Sequence, residues 1–141
     1  MITLLAPTYF IRFDRDNKYT PEQAFAAAEQ GALWMDRHCP GWVLEIDTRT
    51  LNLGLGDSCI LGQTAHCVTH GAVDSGHSMS YDDTIEWIHN HIQNVYTTDV
   101  DFKYSHGFSI RYSGDYSNED ATRWEMLTCA WRQEIAKRVE K

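Results

Sequence analysis

Asn118-Glu119-Asp120-Ala121-Thr122-Arg123-Trp124-Glu125-Met126-Leu127-Thr128-Cys129-Ala130-Trp131-Arg132-Gln133-Glu134-Ile135-Ala136-Lys137-Arg138-Val139 is the stretch that decides the fold. Trp124, Leu127, Trp131, Ile135 and Val139 recur at spacings of 3, 4, 4 and 4, which draws one apolar stripe along a helix. Asn118 can cap that helix, and Glu119 and Asp120 suit its positive end. Lys137, Arg138 and Lys141 suit its negative end. A second helix is equally marked upstream. Thr20 is a good N-cap, Pro21 takes the first helical position and Gln23 completes a capping box. Phe25, Ala28, Ala32, Met35 and Cys39 follow at spacings of 3, 4, 3 and 4, and Pro40-Gly41 ends the run. The alanines at 24, 26, 27 and 28 let another helix approach closely.

The rest of the chain fits around these two helices. Trp42 to Leu55 reads as a short helix followed by an extended piece, with Gly54 and Gly56 bracketing Leu55 in a turn. Asp57 or Ser58 can cap a buried helix through Cys59–Val68. Residues 71–80 read as a loop, and Ser80 with Asp83 opens a helix carrying Ile85, Ile88, Ile92 and Val95. Residues 97–116 read as loop with short strand pieces, such as 108–112. Residues 4–13 are rich in strand formers, but Pro7 makes them an edge strand or extended arm that can pair across a two-fold axis in a homodimer. The fold class is mainly α, with α+β as the alternative. It is a single compact helical domain with a short β-like arm at 1–19 and a helical core at 20–141.

A length of 141 residues is one domain and enough for a real core. Five Lys and Arg stand against eight Asp and Glu over residues 1–70, and seven against twelve over 71–141, for a net charge of −8. So acidic a chain lacks the positive surface that binds phosphate backbones, which argues against nucleic acid. No apolar run approaches the ~20 residues of a membrane span, and the first residues lack the basic start of a signal peptide. Cys39, Cys59, Cys67 and Cys129 are therefore expected as reduced thiols in a cytoplasmic protein.

The richest chemistry lies at His66, Cys67 and His70, with His77 further on. On a helix His66 and His70 share a face, and zinc accepts such nitrogen and sulfur ligands. Against zinc stand the missing CxxC partner and the missing glutamate of a zinc protease, so surface histidines beside a buried Cys67 are the bland alternative. His89 and His91 point to different faces, with His89 toward water. His38 beside Cys39 is a cation at a helix end. Cys59 near a helix N-terminus has the setting of a lowered thiol pKa, but its apolar neighbours Ile60 and Leu61 favour an inert core residue. Asp82, Asp83, Glu86, Asp99 and Asp101 form an acidic region without an EF-hand loop, best read as solvated surface. Gly54-Leu55-Gly56 is not a phosphate loop. Trp124 and Trp131 belong to the core stripe, whereas Trp87, beside the Ile85–Ile88 face, is half exposed and a candidate partner anchor.

Three segments taken together resemble a known group. They are Gly41-Trp42 with Ile46-Asp47 and Leu51-Asn52-Leu53; Cys59-Ile60-Leu61-Gly62-Gln63; and His106-Gly107-Phe108 followed by Leu127-Thr128-Cys129-Ala130-Trp131-Arg132-Gln133-Glu134-Ile135. The order is similar to that of small proteins of unknown function encoded by actinobacteria and their bacteriophages. It spans residues 24–136 with gaps, and the C.LGQ and AWR.EI pieces are its most specific parts. This chain departs in a longer connection between Gln63 and His106 and in its N-terminal arm. The resemblance implies a phage or actinobacterial origin and an intracellular site of action. It supplies no catalytic residues.

These readings converge on a non-enzymatic protein that binds and modulates a host or phage protein, with no catalytic set and no resident cofactor. Its expected partner surface is Trp87, Asp99, Asp101, Phe102 and Tyr104, in the parts outside the shared segments. The rival is a zinc or cysteine enzyme centred on His66, Cys67, His70 and His77. An acidic mimic of nucleic acid is a third reading, weakened by the even spread of acids.

Overall fold

The computed structural model describes residues 20–73, 80–92, 102–110 and 118–139. They form helices α1 (Pro21–His38), α2 (Ile60–Val68), α3 (Ser80–His91), α4 (Phe102–Ser105) and α5 (Asn118–Val139), plus a 3-10 turn at Trp42–Glu45. The protein is mainly helical, as the periodicity predicts, and no strand occurs among the described residues. The expected N-terminal arm and its pairing lie outside the described residues.

The start of α1 follows its sequence. The Thr20 hydroxyl oxygen accepts from the Gln23 backbone N–H at 3.2 Å, and the Gln23 side chain accepts from the Thr20 N–H at 3.0 Å. Its buried face is Ala24, Ala28, Gly31, Ala32, Trp34 and Met35, and it packs chiefly against α5. On α5 the buried apolar set is Met126, Leu127, Ala130, Trp131 and Ile135. Val139, the expected end of that stripe, is 62% exposed. Arg138 takes the place one turn beyond Ile135 and faces α1, where its guanidinium holds both Asp36 carboxylate oxygens at 2.7–3.2 Å.

Small residues set how closely these helices meet. A Cβ on Gly31 would overlap the His106 carbonyl oxygen and the Trp131 ring. Gly107 has φ +70°, and a Cβ there would lie 2.9 Å from the Ala27 carbonyl. Through this gap the Trp131 indole N–H donates to the Gly107 carbonyl at 2.6 Å. Around it the aromatic rings run in series. Trp42 meets Trp131 edge-on at 5.6 Å, Trp131 stacks on Phe108 at 5.6 Å, and Phe108 meets Trp34 at 5.9 Å.

The expected strand piece at 108–112 is not formed over its described part. Phe108 and Ile110 are buried, but they follow a helical turn and no strand lies alongside them among the described residues. Their alternation comes from anchoring a loop in the core, which mimics a strand in sequence.

The connection from α1 to α2 is tied to the helices by side chains. The Arg132 guanidinium donates to the carbonyls of Thr48 at 2.7 Å and Leu51 at 3.2 Å. The Leu53 N–H donates to the Thr128 hydroxyl at 3.0 Å. The Gln63 amide accepts from the Asp47 N–H at 2.6 Å and donates to the Ser58 carbonyl at 2.9 Å. The cap of α2 is Cys59, whose Sγ accepts from the Gly62 N–H at 3.3 Å, rather than the expected Asp57 or Ser58. Gly62 fits because a Cβ there would collide with the Gly56 carbonyl.

One covalent link corrects the expectation of four reduced thiols. Cys39, just past α1, and Cys67, in the last turn of α2, form a disulfide with Cα atoms 6.1 Å apart. Cys59 and Cys129 remain free. Adjacent helix ends bring the pair together, a proximity that no spacing in the sequence reveals. With the bond, cysteine usage no longer argues for a reducing compartment.

Candidate functional site

The end of α2 carries the first candidate cluster. The His70 N–H donates to the Cys67 carbonyl at 3.2 Å and the Gly71 N–H to the His66 carbonyl at 2.8 Å. This nested pair is a Schellman termination. Its left-handed position normally takes glycine, yet here it is His70 at φ +55°. Thr69 fixes the chain below it, since its hydroxyl donates to the Ala65 carbonyl at 2.7 Å and accepts from the Val73 N–H at 2.9 Å.

The strained position aims the His70 ring at α3. It meets the Trp87 ring edge-on at 6.1 Å between centroids. On its other flank Trp87 stacks with His91, at 4.6 Å and 15° between planes. The Nδ1 of His91 sits 3.0 Å from the Trp87 carbonyl oxygen, to which its N–H can donate. Trp87 packs partly on the core and is partly buried, while His70 and His91 are exposed. The i, i+4 spacing of Trp87 and His91 was the available signal for this pair. His70 comes from another element and had none.

The zinc candidates do not gather in the described residues. The Cys67 sulfur is bonded to Cys39 and is not a free thiolate ligand. His66 and His70 are exposed, and His77 lies outside the described residues. Among the described residues no group of three His, Cys, Asp or Glu side chains could hold a metal ion. His89, expected to face water, is partly buried with an enclosed Nε2 that has no hydrogen-bond partner.

Of the expected partner surface, Trp87 is placed as described. Phe102 is 3% exposed and belongs to the core, meeting Trp34 edge-on at 5.5 Å. Tyr104 is partly buried, with the Lys103 ammonium 5.3 Å above its ring. Asp99 and Asp101 lie outside the described residues.

Other reactive groups serve structure. Cys59 does cap a helix, but burial pushes its thiol up to about 11, against the smaller lowering by the Gly62 N–H, so it is no ready nucleophile. Asp36 is held below the ordinary carboxylate range by its bond to Arg138, against the opposing cost of burial. It also accepts the Trp42 indole N–H at 2.9 Å. Burial lowers the His106 imidazole, against the bond of its Nδ1 to the Phe102 carbonyl at 3.1 Å.

No family model, no curated protein and no solved structure matches the chain. No helix of the described residues is long and apolar enough to cross a membrane. The segments that carry the resemblance hold Trp42, Gln63, Gly107, Trp131 and Arg132, which are the residues that tie the helices together. The cluster of half-buried Trp87 with His70 and His91 lies outside them.

Proposed function

We propose that the chain is a non-enzymatic binding protein that engages a partner protein through the face formed by Trp87, His70 and His91. The observation that carries this reading is His70 in a left-handed slot where glycine would cost less, with its ring set against Trp87. Backbone strain kept at the surface motivates the hypothesis that the side chain has a use. Here the use is to brace an indole that is neither fully sunk in the core nor free to rotate. A rigid, half-buried Trp flanked by polar rings is the usual anatomy of an interface anchor. The inert Cys59 thiol supports binding over chemistry at that cysteine. The phage and host setting, and a cytoplasmic site, rest on the resemblance. A reducing cytosol would favour the open form of the disulfide.

The test is a tagged pull-down from actinobacterial lysate, quantified by mass spectrometry, with Trp87→Ala, Trp87→Phe and His91→Ala alongside. One protein enriched by the wild type, reduced by Trp87→Ala and His91→Ala and partly restored by Trp87→Phe supports the reading. Equal enrichment by all four forms, or none by the wild type, overturns it.

A further inference from the structure

The long described helices fall into two pairs, since α1 packs chiefly on α5 and α2 chiefly on α3. The Cys39–Cys67 bond joins one pair to the other. Its two ends are held differently. Cys39 is 1% exposed and fixed by backbone bonds on both sides. Its N–H donates to the Met35 carbonyl at 2.7 Å, and its carbonyl accepts from the Trp42 N–H at 3.0 Å. Cys67 is partly exposed and lies in the turn that ends α2. Its carbonyl accepts from the His70 N–H at 3.2 Å, so the covalent tie ends in the very turn that places His70.

A left-handed backbone at a residue other than glycine persists only where its surroundings hold it there. His70 is exposed, so the hold on its φ of +55° comes from the turn itself. The Cys67 sulfur anchors that turn to the end of α1, and the Thr69 hydroxyl closes it. We propose that the Cys39–Cys67 pair is a redox switch for the His70–Trp87–His91 face, a regulation that rests on the binding role inferred above. The closed bond keeps the end of α2 on α1 and the His70 ring against Trp87. Opening it frees the turn, His70 relaxes to right-handed backbone, and Trp87 loses its brace on that side. The opening step is exchange with a dithiol reductant. One thiolate of the dithiol attacks the Cys67 sulfur, the more exposed of the two, and Cys39 leaves as a thiolate that takes a proton from water. The second thiolate then attacks the mixed disulfide and releases Cys67, which takes a second proton. The dithiol ends as a disulfide, having given two electrons. A small disulfide oxidant runs the same exchange backwards and sets the face again.

The first readout needs no partner. In isotope-labelled wild type, a nuclear Overhauser contact between the His70 and Trp87 ring protons is present in the oxidised protein, lost on adding dithiothreitol and restored by oxidised glutathione. The Trp131 indole N–H, which donates to the Gly107 carbonyl at 2.6 Å, keeps its resonance throughout and reports that the α1–α5 pair stays folded. Cys39→Ala with Cys67→Ala gives the open pattern with or without dithiothreitol. The second readout is the protein captured in the lysate test, made without reductant. The double variant holds it roughly three- to tenfold more weakly, the cost of immobilising one side chain on binding. Adding the two alanines to His70→Gly weakens capture no further, a result that general loosening would not give. The proposal is overturned if the ring contact survives reduction, if dithiothreitol leaves the bond intact or unfolds the protein, or if the two alanines weaken capture as much in His70→Gly as in the wild type. If Trp87→Ala leaves capture unchanged, the binding reading falls alone, and the ring contact still decides the switch.

Discussion

Breaking the Cys39–Cys67 bond gives the clearest stability prediction. The perturbation is the double substitution Cys39→Ala with Cys67→Ala; alanine avoids burying a hydroxyl at position 39, which is 1% exposed. The bond spans 28 residues of sequence. Closing a loop of that length in the unfolded chain removes about 12 cal/mol/K of entropy, or about 3.6 kcal/mol at 25 °C. Unfolding entropy near 2.1 cal/mol/K per residue gives roughly 300 cal/mol/K for a chain of 141 residues. The double variant should therefore melt about 12 °C below the oxidised wild type. Reductant should move the wild type by a similar amount and leave the variant unmoved. The assay is a circular-dichroism melt with and without dithiothreitol, paired with thiol titration in denaturant. Two thiols, from Cys59 and Cys129, should titrate before reduction. A variant within about 1 kcal/mol of the oxidised wild type, or titration of all the cysteines without reductant, would refute the reasoning.

Other consequences are equally direct. Gly31→Ala should destabilise by about 2 kcal/mol in urea denaturation, because its Cβ meets the His106 backbone; at an exposed mid-helix glycine the same change would gain about 1 kcal/mol. His70→Gly should leave the melting temperature unchanged or slightly raised, since it relieves the left-handed position, yet weaken partner capture through loss of the ring against Trp87. His106 has a folded pKa below its ordinary value of 6.5. The unfolded chain then takes up the proton first, so this contribution is complete above pH 6.5 and is lost as pH falls through the folded value. His106→Gln should flatten that part of the stability–pH curve. Cys59 should resist iodoacetamide in native protein at pH 8.5 and react once denaturant is added, as judged by peptide mass spectrometry.

Much of the fold was readable because local signals and packing agree. Thr20, Pro21 and Gln23 set the start of α1 by chemistry confined to one turn. The Leu127–Trp131–Ile135 stripe gave the face of α5. The misreadings share a cause, which is that long-range contacts decide them. Phe108 and Ile110 alternate like a strand but anchor a loop on the α1–α5 core. Val139 keeps the stripe's spacing, yet Arg138 meets Asp36 there instead. The site was less legible still. Trp87 stood out by composition and its partner His91 by helical spacing, but His70 joins them only through the α2–α3 contact. The quoted motifs, by contrast, hold structural ties such as Gln63 to Ser58 and Arg132 to Thr48, which say nothing of activity.

The central claim is that Trp87 anchors a partner. Its most direct test is the dissociation constant of the captured partner for wild type, Trp87→Ala and Leu44→Ala, the last at a side chain 86% exposed on a different element. An anchor worth at least about 2 kcal/mol predicts a loss of roughly thirtyfold for Trp87→Ala and little change for Leu44→Ala, with both variants folded. Equal affinity of all three forms would contradict the account.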